Sequence, residues 1–214
     1  TSFPDKPMFT TRDGLMIITF TDFTDSQRRI RLARSSDYGV TWDQGDIDVS
    51  ESSSQGSCPA IGPDSMVYAV WGQPASWVPT SIWFNKSADS GATWGTPGLI
   101  QNLAISQHLN GTRPNHTFPA MACDENGKLY VVCQNMMQGA GWDVAVWTST
   151  DHGDSWAGPF QVNDDSVVDS DQFCPWITLD HYGRPHVFWY DSRNYYPTND
   201  GDVYYSWSED GGET

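Results

Sequence analysis

Basic residues, glutamate and long apolar runs are all scarce in this chain of 214 residues. Lysine and arginine number 11 against 27 aspartates and glutamates, a formal net charge of −16. So few cations cannot neutralise a phosphate backbone, which excludes nucleic acid as a partner. The acidity itself reads first as solubility, with cation binding or a salty extracellular habitat as the sharper alternative. No apolar run approaches the ~20 residues of a membrane helix. The chain opens on TSFPDKPMF, without the charged-then-apolar lead of a signal peptide. No segment carries a helical period, which argues against bundles and α/β layers.

Cysteine is sparse as well. The four, Cys58, Cys123, Cys133 and Cys174, form no C-x-x-C pair, so a zinc framework has no support. Cys123 and Cys133 flank the turn DENG, and a simple hairpin there would not set them opposite one another. Cys58 and Cys174 each precede a proline, in SCPAI and FCPWI. They read as equivalent, buried inner-strand thiols.

Aromatic residues, in contrast, are plentiful, with 11 Trp, and the sequence repeats itself. SSDYGVTW begins at Ser35, SADSGATW at Ser87 and STDHGDSW at Ser149. SEDGGET begins at Ser208 and reaches Thr214 before its tryptophan. Upstream of each octet lies a short strand, a tight turn with Asp and Gly or Ser, and a β-rich strand. PMFTTRDGLMIITF and PAMACDENGKLYVVC are two examples. A third strand then enters the octet with alternating apolar residues: Ile30 and Leu32, Ile82 and Phe84, Val144 and Val146, Val203 and Tyr205. Short fourth strands such as GLIQN and PFQVN follow the complete octets.

Four antiparallel strands per repeated unit describe the blades of a β-propeller. A β-sandwich, the alternative, does not require the same octet in every hairpin. The blades fall at about residues 1–52, 53–104, 105–164 and 165–214, in one all-β domain whose last blade is incomplete. Three explanations of that incompleteness stand: a fragment of a propeller of six or more blades, assembly with a second copy, or four blades closing alone. The fragment is favoured, and an open last blade would invite self-association.

Every position of the octet has a structural task. Aspartate closes the turn on backbone N–H groups, glycine supplies a left-handed residue, and tryptophan buries surface beneath the hairpin. Asp37, Gly39 and Trp42, Asp89, Gly91 and Trp94, Asp151, Gly153 and Trp156, and Asp210 and Gly212 therefore read as turn-formers. The octet resembles the Asp-box, or BNR repeat, of the sialidase-like β-propeller superfamily. The resemblance covers nearly the whole chain. It implies a secreted propeller, extracellular, at the cell surface or periplasmic, with its boxes on the face away from the ligand. The ligand face would then carry the loops between second and third strands, and the crossings between blades.

Those loops hold the candidate chemistry. Aromatic platforms beside carboxylates and arginine suit a sugar, which offers apolar faces and hydroxyls. The candidate ligand-binding residues are Arg193, Arg113, Trp77, Tyr195, Tyr196 and His108. Asp191 with Asp165 or Asp171 is the candidate catalytic pair, which would need one carboxyl of raised pKa. Plain loop hydrogen bonding is the competing reading. NDDSVVDSDQ could offer calcium several oxygens, though without EF-hand spacing. No other metal or cofactor is indicated.

Sialidases use three arginines to clamp a carboxylate and a tyrosine nucleophile with a glutamate partner. Here Arg29 and Arg31 lie on a third strand, where a solvated face explains them. Of the glutamates Glu51, Glu125, Glu209 and Glu213, Glu51 alone falls in a crossing. A complete sialidase site is thus not visible. The reading is a glycan-engaging propeller, as an exo-glycosidase or a binding module, with a non-catalytic protein-interaction scaffold as the alternative. Of the N-x-[ST] sequons, Asn110 and Asn115 read as glycan sites in a eukaryotic secreted protein, and Asn85 as structural.

Overall fold

The computed structural model describes residues 3–24, 28–48, 53–74, 79–104, 118–137, 139, 141–166, 169–195 and 200–212. These residues form strands and turns only. The first sheet runs β1 (Pro4–Arg12), β2 (Leu15–Asp22), β3 (Arg29–Ser35) and β4 (Asp43–Asp46). The second runs β5 (Gln55–Ile61), β6 (Val67–Gln73), β7 (Ser81–Ser87) and β8 (Gly98–Asn102). β9 (Ala120–Cys123), β10 (Leu129–Asn135), β11 (Asp143–Ser149) and β12 (Ala157–Gln161) make the third. β13 (Gln172–Leu179), β14 (Pro185–Asp191) and β15 (Asp202–Trp207) make a three-stranded fourth. Within each sheet the strands follow chain order and pair antiparallel. This meander is what local hairpin chemistry dictates.

The sheets are propeller blades. Their first strands β1, β5, β9 and β13 adjoin in succession and line a central space of about 400 Å³. Two apolar clusters fill the gaps between blades. One joins Leu15, Ile17, Ile30 and Leu32 of the first sheet to Val67, Ala69 and Trp71 of the second. The larger runs from Tyr68 and Phe84 through Tyr130, Val144 and Trp147 to Val187 and Trp189. Trp71 and Trp147 are wholly buried, and each such side chain contributes about 2–3 kcal/mol of hydrophobic stabilisation.

The octets build identical turns. In the first, the Ser35 hydroxyl donates to Asp37 Oδ1 at 2.8 Å and accepts from the Gly39 N–H at 2.8 Å. Thr41 donates its N–H to Asp37 Oδ1 and its hydroxyl to Oδ2, at 2.9 and 2.6 Å. Ser87, Asp89, Gly91 and Thr93 repeat the pattern, as do Ser149, Asp151, Gly153 and Ser155. Ser208, Asp210 and Gly212 carry its first half. The box glycines sit at φ near +85°, where a side chain would be strained.

The tryptophans depart from expectation. They are not buried beneath their own hairpins: Trp156 packs edge-on against Phe84 of the preceding sheet, with centroids 5.3 Å apart. Trp94 likewise packs on the cluster shared with the first sheet, while Trp42 is exposed. The second and third boxes thus staple their blades to the ones before.

Cys58 and Cys174 are not equivalent. Cys58 pairs with Val70, and in the fourth sheet the corresponding pair is Trp176 with Phe188. A bulge precedes each, with Gly56 and Cys174 at φ of 69° and 51°. Cys174 therefore matches Gly56, and it is exposed whereas Cys58 is buried. All four cysteines are free thiols.

Candidate functional site

The last residue of each second strand is polar and buried: Asp22, Gln73, Asn135 and Asp191. The registers equate them, since they pair with the first residues of the third strands, Arg29, Ser81, Asp143 and Asp202. All four stand on the end of the blades opposite the boxes and tie down the loops there. Asp22 accepts from Thr24 N–H at 2.9 Å and from Arg31 at 3.1 Å. Gln73 donates to the Ser54 hydroxyl at 3.0 Å, and Asn135 Oδ1 accepts from Ala104 N–H at 2.9 Å. Sequence reasoning singled out only Asp191 of this set. The signal was the polar residue closing each β-rich run, in FTD, WGQ, CQN and WYD.

Asp191 anchors the richest cluster. Its carboxylate is 0% exposed and accepts from Trp189 Nε1 at 2.9 Å, Arg193 N–H at 2.9 Å and Gln172 Nε2 at 3.2 Å. Arg193 Nη2 reaches Oδ2 at 2.8 Å. Burial pushes the pKa of Asp191 up, but the hydrogen bonds from Arg193, Trp189 and Gln172 outweigh it and hold the carboxyl below its ordinary value. Asp191 thus stands as the counter-ion of Arg193, so it is not the carboxyl of raised pKa that the candidate pair would need.

Arg193 is ringed by carboxylates. Nη1 bonds Asp164 Oδ1 at 2.8 Å, and Nη2 lies 3.8 Å from Asp165 Oδ1 besides its bond to Asp191. Its guanidinium lies 4.3 Å from the centroid of Tyr204. Desolvation works against its charge, and the surrounding carboxylates raise its pKa regardless. Asp165 is buried and accepts from Asn163 Nδ2 at 2.7 Å and the Ser170 hydroxyl at 2.8 Å. Asp171 is buried too, accepting from Trp142 N–H at 3.0 Å. The structure thus brings Asp165 and Asp191 together on Arg193, while Asp171 bonds Trp142 through its carboxylate and Ser192 through its backbone.

The solvent side of this network is different. Asp164 is 89% exposed, and its pKa is lowered, first by its hydrogen bond to Arg193. Tyr195 is partly exposed and donates to Asp202 Oδ1 at 3.3 Å. The Asp202 charge raises the tyrosine pKa. Asn194 bridges Asp202 and the Tyr204 hydroxyl at 3.0 and 3.1 Å. Hydroxyl, amide and carboxylate groups here adjoin aromatic rings, the combination that engages sugars. Arg113, Trp77, Tyr196, His108, Glu51, Asn110 and Asn115 lie outside the described residues.

Among the described residues no group of three or more His, Cys, Asp or Glu side chains is gathered to hold a metal ion. Among the described residues of 163–172, the calcium reading finds no ligand cluster. Arg31 is not simply solvated: it bridges Asp22 and Asp46 at 3.1 and 2.8 Å. Asn85 is buried and donates to Ile47 and Gly95 carbonyls at 3.0 and 2.9 Å, which leaves no room for a glycan.

Successive antiparallel blades, boxes stapling the second and third to the ones before and loops gathered at the opposite end define a sialidase-like β-propeller fold. Solved structures share it. The chain aligns with the Hadza microbial sialidase Hz136 at a TM-score of 0.68 and 17% identity, covering 99% of this chain and 45% of that one. The Penicillium chrysogenum alpha-L-arabinanase complexed with arabinobiose aligns at 0.70 and 16% identity, covering 98% and 64%. Trypanosoma rangeli sialidase in complex with the inhibitor DANA aligns at 0.66 and 17%, covering 100% and 37%. The chain thus spans less than two thirds of each of these proteins. No protein-family model matches the sequence, and no curated protein matches it.

Proposed function

We propose that this chain is a single propeller domain, with blades at about 1–52, 53–104, 105–164 and 165–214, that engages glycans on its loop face. The observation that carries the reading is the layered cluster in the fourth blade. The buried Asp191, and the partly buried Arg193 that it holds, stand behind a rim of Asp164, Asn194, Tyr195 and Asp202. Such a rim offers pre-ordered hydrogen-bond partners to sugar hydroxyls and ring surface to a sugar's apolar face. The ionised, fully engaged state of Asp191 makes it, with Asp165 and Asp171, a positioning residue.

Hydrolysis is the second reading. It is favoured by the likeness in fold to two sialidases and an arabinanase. No membrane-crossing helix occurs among the described residues, and the setting we assign is extracellular, cell-surface or periplasmic, where such glycans are met.

The test is to incubate the protein with sialylated, uronic-acid and neutral glycans, measuring retention on an array and released sugar by mass spectrometry. Retention lost in Tyr195→Phe and Asp164→Asn supports binding at the rim, and release lost in the same variants supports hydrolysis. Neither retention nor release from any class would overturn the reading in favour of a protein-interaction scaffold.

A further inference from the structure

Arg193 is the cation behind the fourth-blade rim, and its charge is already taken up by protein. Nη1 holds Asp164 Oδ1 at 2.8 Å, and Nη2 holds Asp191 Oδ2 at 2.8 Å with Asp165 Oδ1 at 3.8 Å. Nε is buried, and the Tyr204 ring covers the guanidinium at 4.3 Å from its centroid. A guanidinium grips a ligand carboxylate by turning two parallel N–H groups to it. Here both terminal nitrogens face protein carboxylates instead.

Three carboxylates to one guanidinium leave this cluster negative. The exposed Asp164 carries the surplus to the surface. Asp202 and Asp200 extend it along the rim, where both charges act on Tyr195. Among the described residues no other lysine or arginine forms a salt bridge with Asp164, Asp165 or Asp191. Surface charges are screened over about 8 Å at physiological salt. The groups that a ligand touches at the rim therefore set the field it meets there.

The donors of the rim are turned inward as well. Asn194 Nδ2 donates to Asp202 and to the Tyr204 hydroxyl, and the Tyr195 hydroxyl donates to Asp202. What faces a ligand is carboxylate oxygen and ring surface. Sugar hydroxyls suit both, since a hydrogen bond to an ionised acceptor is about twice as strong as a neutral one. A sugar carboxylate in the same place meets like charge with no cation to offset it.

We propose that the rim selects neutral sugars, bound through their hydroxyl donors, and turns away sugars that carry a carboxylate. The inference rests on the glycan-engaging reading of this face and adds to it the charge class of the ligand.

The test is retention on an array of matched oligosaccharides. Each neutral member has a partner in which one C6 hydroxymethyl group is oxidised to a carboxylate, and lactose beside sialyllactose adds a second kind of acid. The neutral members are expected to be retained about tenfold more strongly than their acidic partners at about 50 mM salt. At about 500 mM salt the gap is expected to shrink to about twofold or less, because Asp164 lies where salt reaches it. Acidic members retained as well as the neutral ones, or better, would overturn the inference and leave the glycan reading standing. A gap that salt leaves unchanged would overturn it too, since shape rather than charge would then discriminate. Retention of no member at all would overturn the glycan reading, and this inference with it.

Discussion

The Tyr68 hydroxyl, on the second blade, meets Nδ1 of His152, in the box of the third, at 2.7 Å. The two rings also lie near parallel, with centroids 6.4 Å apart. Such a hydrogen bond is worth about 1 kcal/mol net, and it spans two blades here. Tyr68→Phe and His152→Ala are each expected to lower stability to urea, with a coupling energy of about 1 kcal/mol in the double variant. A double variant that is strictly additive would show that the boxes hold blades together by packing alone.

The box aspartates make the protein acid-sensitive in a predictable direction. Hydrogen bonds, led by the Thr41 hydroxyl and followed by its N–H, bring Asp37 down to about 2. Asp89 and Asp151 are lowered for the same reason. An unfolded aspartate titrates near 3.9. A group with a depressed folded pKa contributes stability that is complete above the unfolded value and is lost as pH falls through the folded one. The melting temperature should therefore drop between about pH 5 and pH 2. Asp37→Asn should melt below the unaltered protein at pH 6 and converge on it near pH 2. An unchanged gap at both pH values would disprove the assignment of charge to that turn.

The boxes were legible because their chemistry is local: serine, aspartate and glycine close the same turn wherever they occur at that spacing. The blade order followed from strand periodicity for the same reason. What escaped was tertiary. Asp22, Gln73, Asn135 and Asp191 share one position, but three side-chain types there, each with its own partners, hid the equivalence. The shared Cys-Pro dipeptides suggested one alignment for Cys58 and Cys174, but the strand registers set them two residues apart, so that Cys174 falls on the bulge that Gly56 occupies in the second sheet. Val203 and Tyr205 alternate like the other third-strand pairs, yet they are exposed, because among the described residues no blade packs over the fourth sheet as the third packs over Phe84. The ring of carboxylates on Arg193 brings together residues nearly 30 apart, and no spacing rule anticipates it.

The Asp191–Arg193 pair predicts a particular pattern of stability. Arg193→Ala leaves an ionised carboxylate buried with its strongest partner gone, which costs about 3 kcal/mol. Asp191→Ala should cost a similar amount, since Trp189 Nε1 and Gln172 Nε2 then lose their acceptor. The double variant should lose clearly less than the sum, because neither charge is stranded. Chemical denaturation with urea measures all three. Singles that cost under half a kilocalorie would mean that water reaches the pair and that the rim is not pre-ordered.

Gly153 and Gly98 give the cleanest contrast between a constrained and a free glycine. Gly153 has φ of +84°, and a Cβ there would overlap the ring of Phe84, the buried platform on which the third box rests. Gly153→Ala must therefore strain the backbone and push the box off the preceding blade together. The expected cost is about 2 kcal/mol or more, in the range of strained backbone and overpacked cores. A Cβ on Gly98, in the exposed strand β8, meets nothing within 4 Å and its φ is ordinary. Gly98→Ala should lie within about 0.5 kcal/mol of the unaltered protein. Because both changes add one methyl to one blade edge, a similar cost for the two would mean that the box does not bear on Phe84. The stapling of blades would then have to come from the Tyr68–His152 and Lys86–Asp154 contacts instead.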